Sequence, residues 1–159
     1  MNSKVAYLLV GKGHQIIQDN EQLSHVNCTE PMLTLTKELK TTLESEQKLF
    51  IGNPGKEHAF DLASQDKSIV IECKNYTWTK TGRVPSAKIS TINEAVLYFS
   101  FLDENVQKIL CLMKSEHPER KETLAEYYGN TYKHLLRDVI IYEVSEDGIA
   151  NRIRPIASL

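Results

Sequence analysis

The sequence predicts an α/β domain in which helices cover both faces of a β-sheet. Residues 68–74 are apolar on both sides of a predicted strand, as in a strand buried inside a sheet. Amphipathic stretches with helical spacing alternate with short apolar runs along the chain. No repeat, low-complexity tract or long linker divides the 159 residues, so we expect a single domain over residues 1–159. A chain of this length buries about 68–70% of its unfolded surface on folding, so its core can be stable without disulfide bonds.

The first half of the chain is assigned from apolar spacing and from turn residues. A helix from Pro31 is predicted because the apolar residues Met32, Leu35, Leu39, Leu43 and Phe50 approximate helical spacing. Glycine and proline mark a break at 52–55. The other predicted elements are a short strand at 5–10, a turn at 11–13, a strand at 48–52, and the two strands of a hairpin at 58–63 and 68–74.

The second half of the chain alternates helices and strands. Ser86 opens a helix that runs to about Phe101, with an apolar stripe formed by Ile89, Ile92, Ala95, Val96 and Phe99. The predicted elements that follow are a buried strand at 108–113, a helix at 118–136, a strand at 138–144 and a last short strand at 151–155.

Three charged residues on the predicted hairpin converge on one point. If Asp66 and Lys67 are the two central residues of a tight turn, Asp61 lies directly opposite Glu72. Opposed residues have Cβ atoms about 4.5–5.5 Å apart, which lets one divalent ion accept an oxygen from each carboxylate. Lys74 returns to the same face because side chains alternate along a strand. The pattern predicts a divalent-metal site with a cation that positions water.

The opposite face of the hairpin is predicted to be core. It carries Phe60, Leu62, Ile69, Ile71 and Cys73, and His58 falls on this face as well because it lies three residues before Asp61. An alternative interpretation treats the three charges as ordinary surface residues of an edge hairpin. Directly opposed carboxylates destabilise a sheet unless a cation lies between them, which favours the metal site.

The arrangement of Asp61, ten intervening residues and Glu72-Cys73-Lys74 resembles the PD-(D/E)xK nuclease superfamily. Phe60 stands where the proline of the name-giving motif is found. The resemblance covers about residues 31–113 and implies a three-layer, restriction-endonuclease-like αβββαβ core, with a mixed central sheet flanked by helices. The predicted helix and strand within 118–155 are additions to that core.

The resemblance implies a Mg²⁺-dependent endonuclease that hydrolyses phosphodiester bonds in DNA, with Mn²⁺ able to substitute. Asp61 and Glu72 would hold the metal, and the Cys73 carbonyl would add a ligand. Lys74 would orient the attacking water or help to deprotonate it, and would stabilise developing negative charge. The resemblance is also compatible with a homodimer, because one small site cuts one strand.

The charge distribution favours a local nucleic-acid contact. The whole chain has a net charge of −2, which does not indicate a nucleic-acid-binding protein. The segment from Lys74 to Lys88, however, contains no acid and carries Lys80 and Arg83 as well. We therefore expect Lys80, Arg83 and Lys88 to contact phosphates.

Three glutamates remain open as additional members of the site. Glu38 and Glu46 belong to the predicted first helix, where nucleases of this superfamily often supply an extra acid. Glu94 and Tyr98 have the spacing of the Gln-x-x-x-Tyr motif of the RecB-like branch, with Glu in place of Gln.

Two other functional classes remain alternatives. One is a non-catalytic nucleic-acid-binding or assembly module that retains the nuclease fold, and the other is a protein-interaction domain. The three cysteines have no C-x-x-C spacing, which argues against a disulfide framework or a zinc site. No apolar run has the length of a membrane span or of a signal peptide, so we expect a cytoplasmic protein without a membrane partner.

Overall fold

The computed structural model describes residues 29–153, which form one six-stranded mixed sheet and four helices. The elements in chain order are α1 (Thr29–Leu39), β1 (Leu43–Ile51), β2 (Lys56–Ser64), β3 (Ile69–Lys74), α2 (Ser86–Phe99), β4 (Gln107–Met113), α3 (Leu124–Thr131), α4 (Lys133–Leu136), β5 (Ile140–Val144) and β6 (Ala150–Ile153). The strand predicted at 5–10 and the turn at 11–13 lie outside the described residues, as do positions 154 and 155 of the last predicted strand.

The strands lie in the sheet in the same order as in the chain. β1, β2 and β3 form an antiparallel meander, β4 pairs parallel with β3, β5 pairs parallel with β4, and β6 closes the sheet antiparallel to β5. The carboxyl ends of β3, β4 and β5 therefore meet at one edge of the sheet, where open α/β sheets usually bind their ligands.

Helices cover both faces of the sheet, as predicted. α1 packs Leu35 onto one face against Leu62, Ile71 and Cys73. The opposite face is covered by α2, α3 and α4, whose buried residues pack against Val70 and the neighbouring strands. The central strand β3 thus contributes apolar side chains to two separate clusters, which explains why its sequence is apolar on both sides.

The register of the β2–β3 hairpin is the predicted one, but its turn is different. Leu62 pairs with Ile71 and Ala63 with Val70. β2 ends at Ser64 and β3 begins at Ile69, so four residues at 65–68 connect the strands instead of a two-residue turn. The Asp66 carboxylate accepts a hydrogen bond from the Ser68 amide at 3.0 Å, which stabilises the longer loop without changing the pairing.

The predicted extension of the first helix beyond Leu39 is wrong. α1 ends at Leu39, and after three connecting residues Leu43–Ile51 form β1, a longer strand than the one predicted at 48–52. β1 pairs with β2 in eight residue pairs, and this tertiary pairing overrides a weak helical spacing. The prediction failed because Leu43 falls on a helical position by chance, although it is buried in the sheet.

The predicted helix at 118–136 is also partly wrong. The helix α3 starts at Leu124, where Thr123 and Glu126 form a reciprocal capping box, and α4 is a separate turn. Residues 118–123 belong instead to a loop at 114–123, in which Glu116 pairs with Thr123. The predictions of α2, β4 and β5 are confirmed to within two residues at each end. No helix between residues 29 and 153 combines the length and the apolar character needed to cross a membrane.

Candidate active site

The alternation of side chains along β2 changes at Asp61. The β1–β2 ladder skips one residue pair, Glu46 with Asp61, and Glu46 has a left-handed backbone with φ of 51°. Leu62 lies in the cluster beneath α1, whereas Phe60 packs in the other cluster, with its ring 5.8 Å from that of Phe99. The prediction that Phe60 and Leu62 share a face is therefore wrong, because the strand twists at an interruption that sequence parity does not reveal.

Asp61, Glu72 and Lys74 are brought together as predicted. Lys74 Nζ lies 3.1 Å from Glu72 Oε2 and 4.0 Å from Asp61 Oδ2. The Cys73 amide donates a hydrogen bond of 2.8 Å to Asp61 Oδ2, which fixes the aspartate over the end of β3. The Cys73 side chain is 1% exposed and packs in the core, as predicted, while its carbonyl stays a predicted metal ligand.

With both carboxylates ionised, the site would hold more negative charge than its one ammonium group balances. Glu72 is 5% exposed, and burial raises the pKa of its carboxyl to about 8, with Asp61 adding to the effect and Lys74 opposing part of it. Burial alone would lower the pKa of Lys74, but the neighbouring Glu72 and Asp61 more than compensate and raise it. A second cation between the carboxylates would relieve this imbalance.

The donor set fits a hydrated Mg²⁺. Within residues 29–153, no group of three or more His, Cys, Asp or Glu side chains forms a complete metal cage. Mg²⁺ characteristically uses one or two carboxylates and fills its remaining positions with water and substrate phosphates. Asp61 and Glu72 supply that number of carboxylates, and Lys74 lies beside both.

His58 is a member of the site, although the alternation of side chains predicts it on the opposite face of the strand. Its Nε2 lies 3.4 Å from Glu72 Oε1, and its ring stacks on Tyr98 with 3.9 Å between centroids. Burial and then the charge of Lys74 lower the pKa of His58, so the ring is neutral at pH 7. With its proton on Nε2, the ring donates to Glu72 and restrains the orientation of that carboxylate.

Replacing His58 with alanine is expected to weaken metal binding by about tenfold or more, because outer partners that orient a ligand carry effects of this size. The affinity for Mn²⁺ is measured by titration calorimetry. The control is Tyr98→Phe, which keeps the stacked ring but removes the hydroxyl that donates to Glu94. Equal Mn²⁺ affinities for wild type and His58→Ala would show that His58 does not orient Glu72.

The three open glutamates occupy different places. Glu38 lies exposed on α1, which covers the sheet face opposite to Glu72. Glu46 lies on β1 at the skipped pair beside Asp61, and not on a helix as predicted. Glu94 accepts a hydrogen bond of 3.4 Å from the Tyr98 hydroxyl, and its charge acts on His58. Glu46 and Glu94 thus border the site, whereas Glu38 does not.

The predicted nucleic-acid-binding residues follow β3 directly. Lys80 and Arg83 lie exposed in the loop at 75–85. Lys88, in the first turn of α2, places its Nζ 5.5 Å from the ring centroid of Tyr76, which lies two residues after Lys74. Lys88 therefore contacts Tyr76 near the site, whereas Lys80 and Arg83 lie on the adjoining surface.

The loop at 75–85 is held against the loop that follows β4. The Trp78 amide donates a 3.0 Å hydrogen bond to Ser115 Oγ, and the Trp78 ring meets His117 edge to face at 4.8 Å. His117 Nε2 lies 2.9 Å from the carbonyl oxygen of Gly82, where the backbone has φ of 68°. The predicted packing of Trp78 on the core is confirmed, since 6% of this residue is exposed.

Replacing Gly82 with alanine is expected to destabilise the protein by about 1–3 kcal/mol, because the residue would keep a strained backbone conformation. The new Cβ would also lie 2.8 Å from two atoms of the His117 ring. Gly55→Ala is the matched control, since its nearest neighbour would be 3.6 Å away. Urea unfolding curves measure the difference. Equal stability of the two variants would show that the loop does not depend on the Gly82–His117 contact.

Comparisons of this chain with family models, curated proteins and solved structures found no significant match.

Proposed function

We propose that this chain is a Mg²⁺-dependent nuclease that hydrolyses phosphodiester bonds in DNA. The observation that carries the proposal is the contact of one ammonium group, Lys74 Nζ, with two carboxylates, of which Glu72 is almost completely buried. The order of elements from α1 to β4 agrees with the restriction-endonuclease-like αβββαβ core that the resemblance implies.

In the proposed mechanism, Asp61 and Glu72 hold the metal at the carboxyl end of β3. When bound, the ion would act as a Lewis acid and neutralise negative charge on the scissile phosphate. The Cys73 amide keeps Asp61 in place, and His58 with Tyr98 forms the wall on the side of α2. These contacts fix both carboxylates before a substrate arrives, which lowers the cost of organising the site.

Lys74 acts in this mechanism as a hydrogen-bond donor and a positive charge. The two carboxylates beside it raise its pKa, so the ammonium form persists at neutral pH. An ammonium group cannot accept a proton from water. It can orient the attacking water and stabilise the negative charge that develops on the phosphate oxygens. This favours the water-orienting role over proton abstraction.

Replacing Lys80, Arg83 and Lys88 together with alanine is expected to weaken DNA binding and to flatten its salt dependence. Each phosphate contact that is lost lowers the slope of log K against log salt by about 0.9 for duplex DNA. Binding is measured by fluorescence anisotropy with Ca²⁺ in place of Mg²⁺. The control replaces Lys37 and Lys40, which are exposed at the end of α1 on the other side of the sheet. An unchanged slope would place the DNA-binding surface elsewhere.

A cleavage assay tests the proposed activity. Purified protein is incubated with supercoiled plasmid and with single-stranded DNA, in Mg²⁺, in Mn²⁺ and with a chelator. Cleavage that requires the metal and stops with the chelator supports the nuclease. Salt-sensitive binding without cleavage would instead support a non-catalytic module, and neither binding nor cleavage would contradict both.

A further inference from the structure

A cleft that is separate from the candidate active site lies on the same face of the sheet. In the cross-strand register, Lys74 pairs with Leu112 on β4, and Leu112 pairs with Glu143 on β5. Adjacent strands are about 4.8 Å apart, so Glu143 lies about 10 Å from Lys74 along the sheet. The cleft has a volume of about 630 Å³, is bounded by the 114–123 loop, α3, β5 and β6, and includes none of the three charged site residues.

Glu143 is a buried carboxylate in the wall of this cleft, and only 4% of the residue is exposed. Its Oε2 has no hydrogen-bond partner within the described part of the chain. Burial raises the pKa of Glu143, and the Thr123 hydroxyl opposes part of that effect. A buried carboxylate oxygen without a donor is costly to a fold, which makes this atom a candidate ligand contact.

Two of the three cationic side chains that line the cleft pair with other acids. Lys114 Nζ lies 2.9 Å from Glu116 Oε1, and Arg120 lies 3.6 Å from Glu122. The cleft is lined by five carboxylates and three cationic side chains, an excess of two negative charges. The five are Glu116, Glu119, Glu122, Glu126 and Glu143, and the three are Lys114, Arg120 and Lys121. The surface therefore attracts a cation and repels a phosphate.

The size of the cleft favours an organic cation over a single metal ion. A volume of about 630 Å³ falls in the range of small-molecule sites. Oε2 itself is covered, so a ligand reaches it by displacing a lining side chain. Lys114 and Glu116 are suited to such a movement because both are exposed and both line the cleft.

We propose that this cleft binds an alkyl ammonium or guanidinium group, which donates hydrogen bonds to the buried carboxylate of Glu143. Such a group occurs in free polyamines and in the lysine or arginine side chains of a protein partner. The charge-assisted hydrogen bond to Glu143 supplies the specificity, and the excess of acids in the wall draws the cation in.

The binding is tested with agmatine, spermidine and N-acetyl-arginine amide, at constant ionic strength and without DNA or divalent metal. The expected result is saturable binding of agmatine that shifts the amide resonances of residues 114–126 and of Glu143 in wild-type protein. Binding of spermidine alongside agmatine identifies a polyamine site, whereas preference for the arginine derivative identifies a site for a protein side chain. The absence of saturable shifts with all three probes would overturn the proposal.

The role of Glu143 is tested separately with Glu143→Gln, which keeps the shape of the side chain and removes its charge. Agmatine affinity should fall by about tenfold or more, as expected for the loss of a charged hydrogen bond. Glu119→Gln is the control, because it removes the same charge from an exposed position in the same cleft. Equal losses in both variants would reveal only diffuse attraction and would contradict a site built on Glu143. None of these measurements uses nuclease activity. A result that contradicts the cation site can therefore be distinguished from a result that contradicts the proposed function.

Discussion

Replacing Lys74 with methionine is expected to reduce DNA cleavage by about 10²–10³-fold or more, the usual effect of removing a donor that stabilises transition-state charge. Methionine retains the apolar stem of the side chain but cannot orient water or neutralise a phosphate oxygen. The metal ligands Asp61 and Glu72 remain, so Mn²⁺ should still bind. The rate is measured on plasmid DNA under single-turnover conditions, and the Mn²⁺ affinity by calorimetry.

Lys67→Met is the matched control for this experiment. Lys67 lies in the turn of the same hairpin, where its Nζ is 3.8 Å from Glu44, and it does not contact Glu72 or Asp61. The control should cut DNA at the wild-type rate. If Lys74→Met also cuts at that rate while remaining folded, then Lys74 takes no part in catalysis and the proposed mechanism is wrong.

Replacing Glu72 with glutamine is expected to abolish metal-dependent cleavage and to stabilise the metal-free protein at alkaline pH. The folded protein raises the pKa of Glu72 from 4.5 to about 8, so the native state binds a proton that the unfolded chain has already released. This contribution to stability is complete below pH 4.5 and is lost as the pH rises through about 8. Glutamine cannot ionise, and the variant should lack this part of the pH dependence.

The effect is measured by urea unfolding in a chelator at several values between about pH 5 and pH 9. Mg²⁺ should then stabilise the wild type by about 2.7 kcal/mol at a hundredfold excess over its dissociation constant, and leave Glu72→Gln nearly unaffected. Glu57→Gln is a control on an exposed residue of β2 that pairs with Lys48. The same pH dependence and the same Mg²⁺ response in wild type and Glu72→Gln would contradict the site.

The approach of Asp61 to Glu72 and Lys74 could be predicted because it depends on local rules. Residues on two adjacent strands of a hairpin keep a constant sum of their numbers, and this sum is unchanged when the turn grows from two residues to four. Lys74 follows from the alternation of side chains along β3. Both rules act within one hairpin, so no information about distant segments was needed.

The position of His58 could not be predicted because it depends on a neighbouring strand. The interruption at Asp61 arises where β1 pairs with β2, and the sequence pattern had assigned most of β1 to a helix. Because β1 was not predicted over most of its length, the simple alternation of side chains along β2 placed His58 and Phe60 on the wrong face of the sheet. The left-handed backbone of Glu46 has no sequence signal of the kind that glycine or asparagine would give.

The cleft around Glu143 was beyond sequence reasoning for a related reason. Its wall combines the 114–123 loop, the start of α3 and two strands, and residues 118–123 of the loop had been predicted as the start of a helix. The Thr-x-x-Glu pattern at Thr123 is a helix-start signal that could have corrected this boundary. The burial of Glu143 itself depends on packing between segments that are distant in sequence.

The most direct test of the central claim is the location of a bound divalent ion. Crystals of the wild-type protein are soaked in Mn²⁺, and the ion is located by its anomalous scattering. We expect one peak that is bonded to an oxygen of Asp61 and an oxygen of Glu72 at about 2.1 Å, with Lys74 adjacent, and no such peak in Glu72→Gln. An ion that binds elsewhere, or a peak that persists unchanged in Glu72→Gln, would contradict the claim that Asp61 and Glu72 hold the catalytic metal.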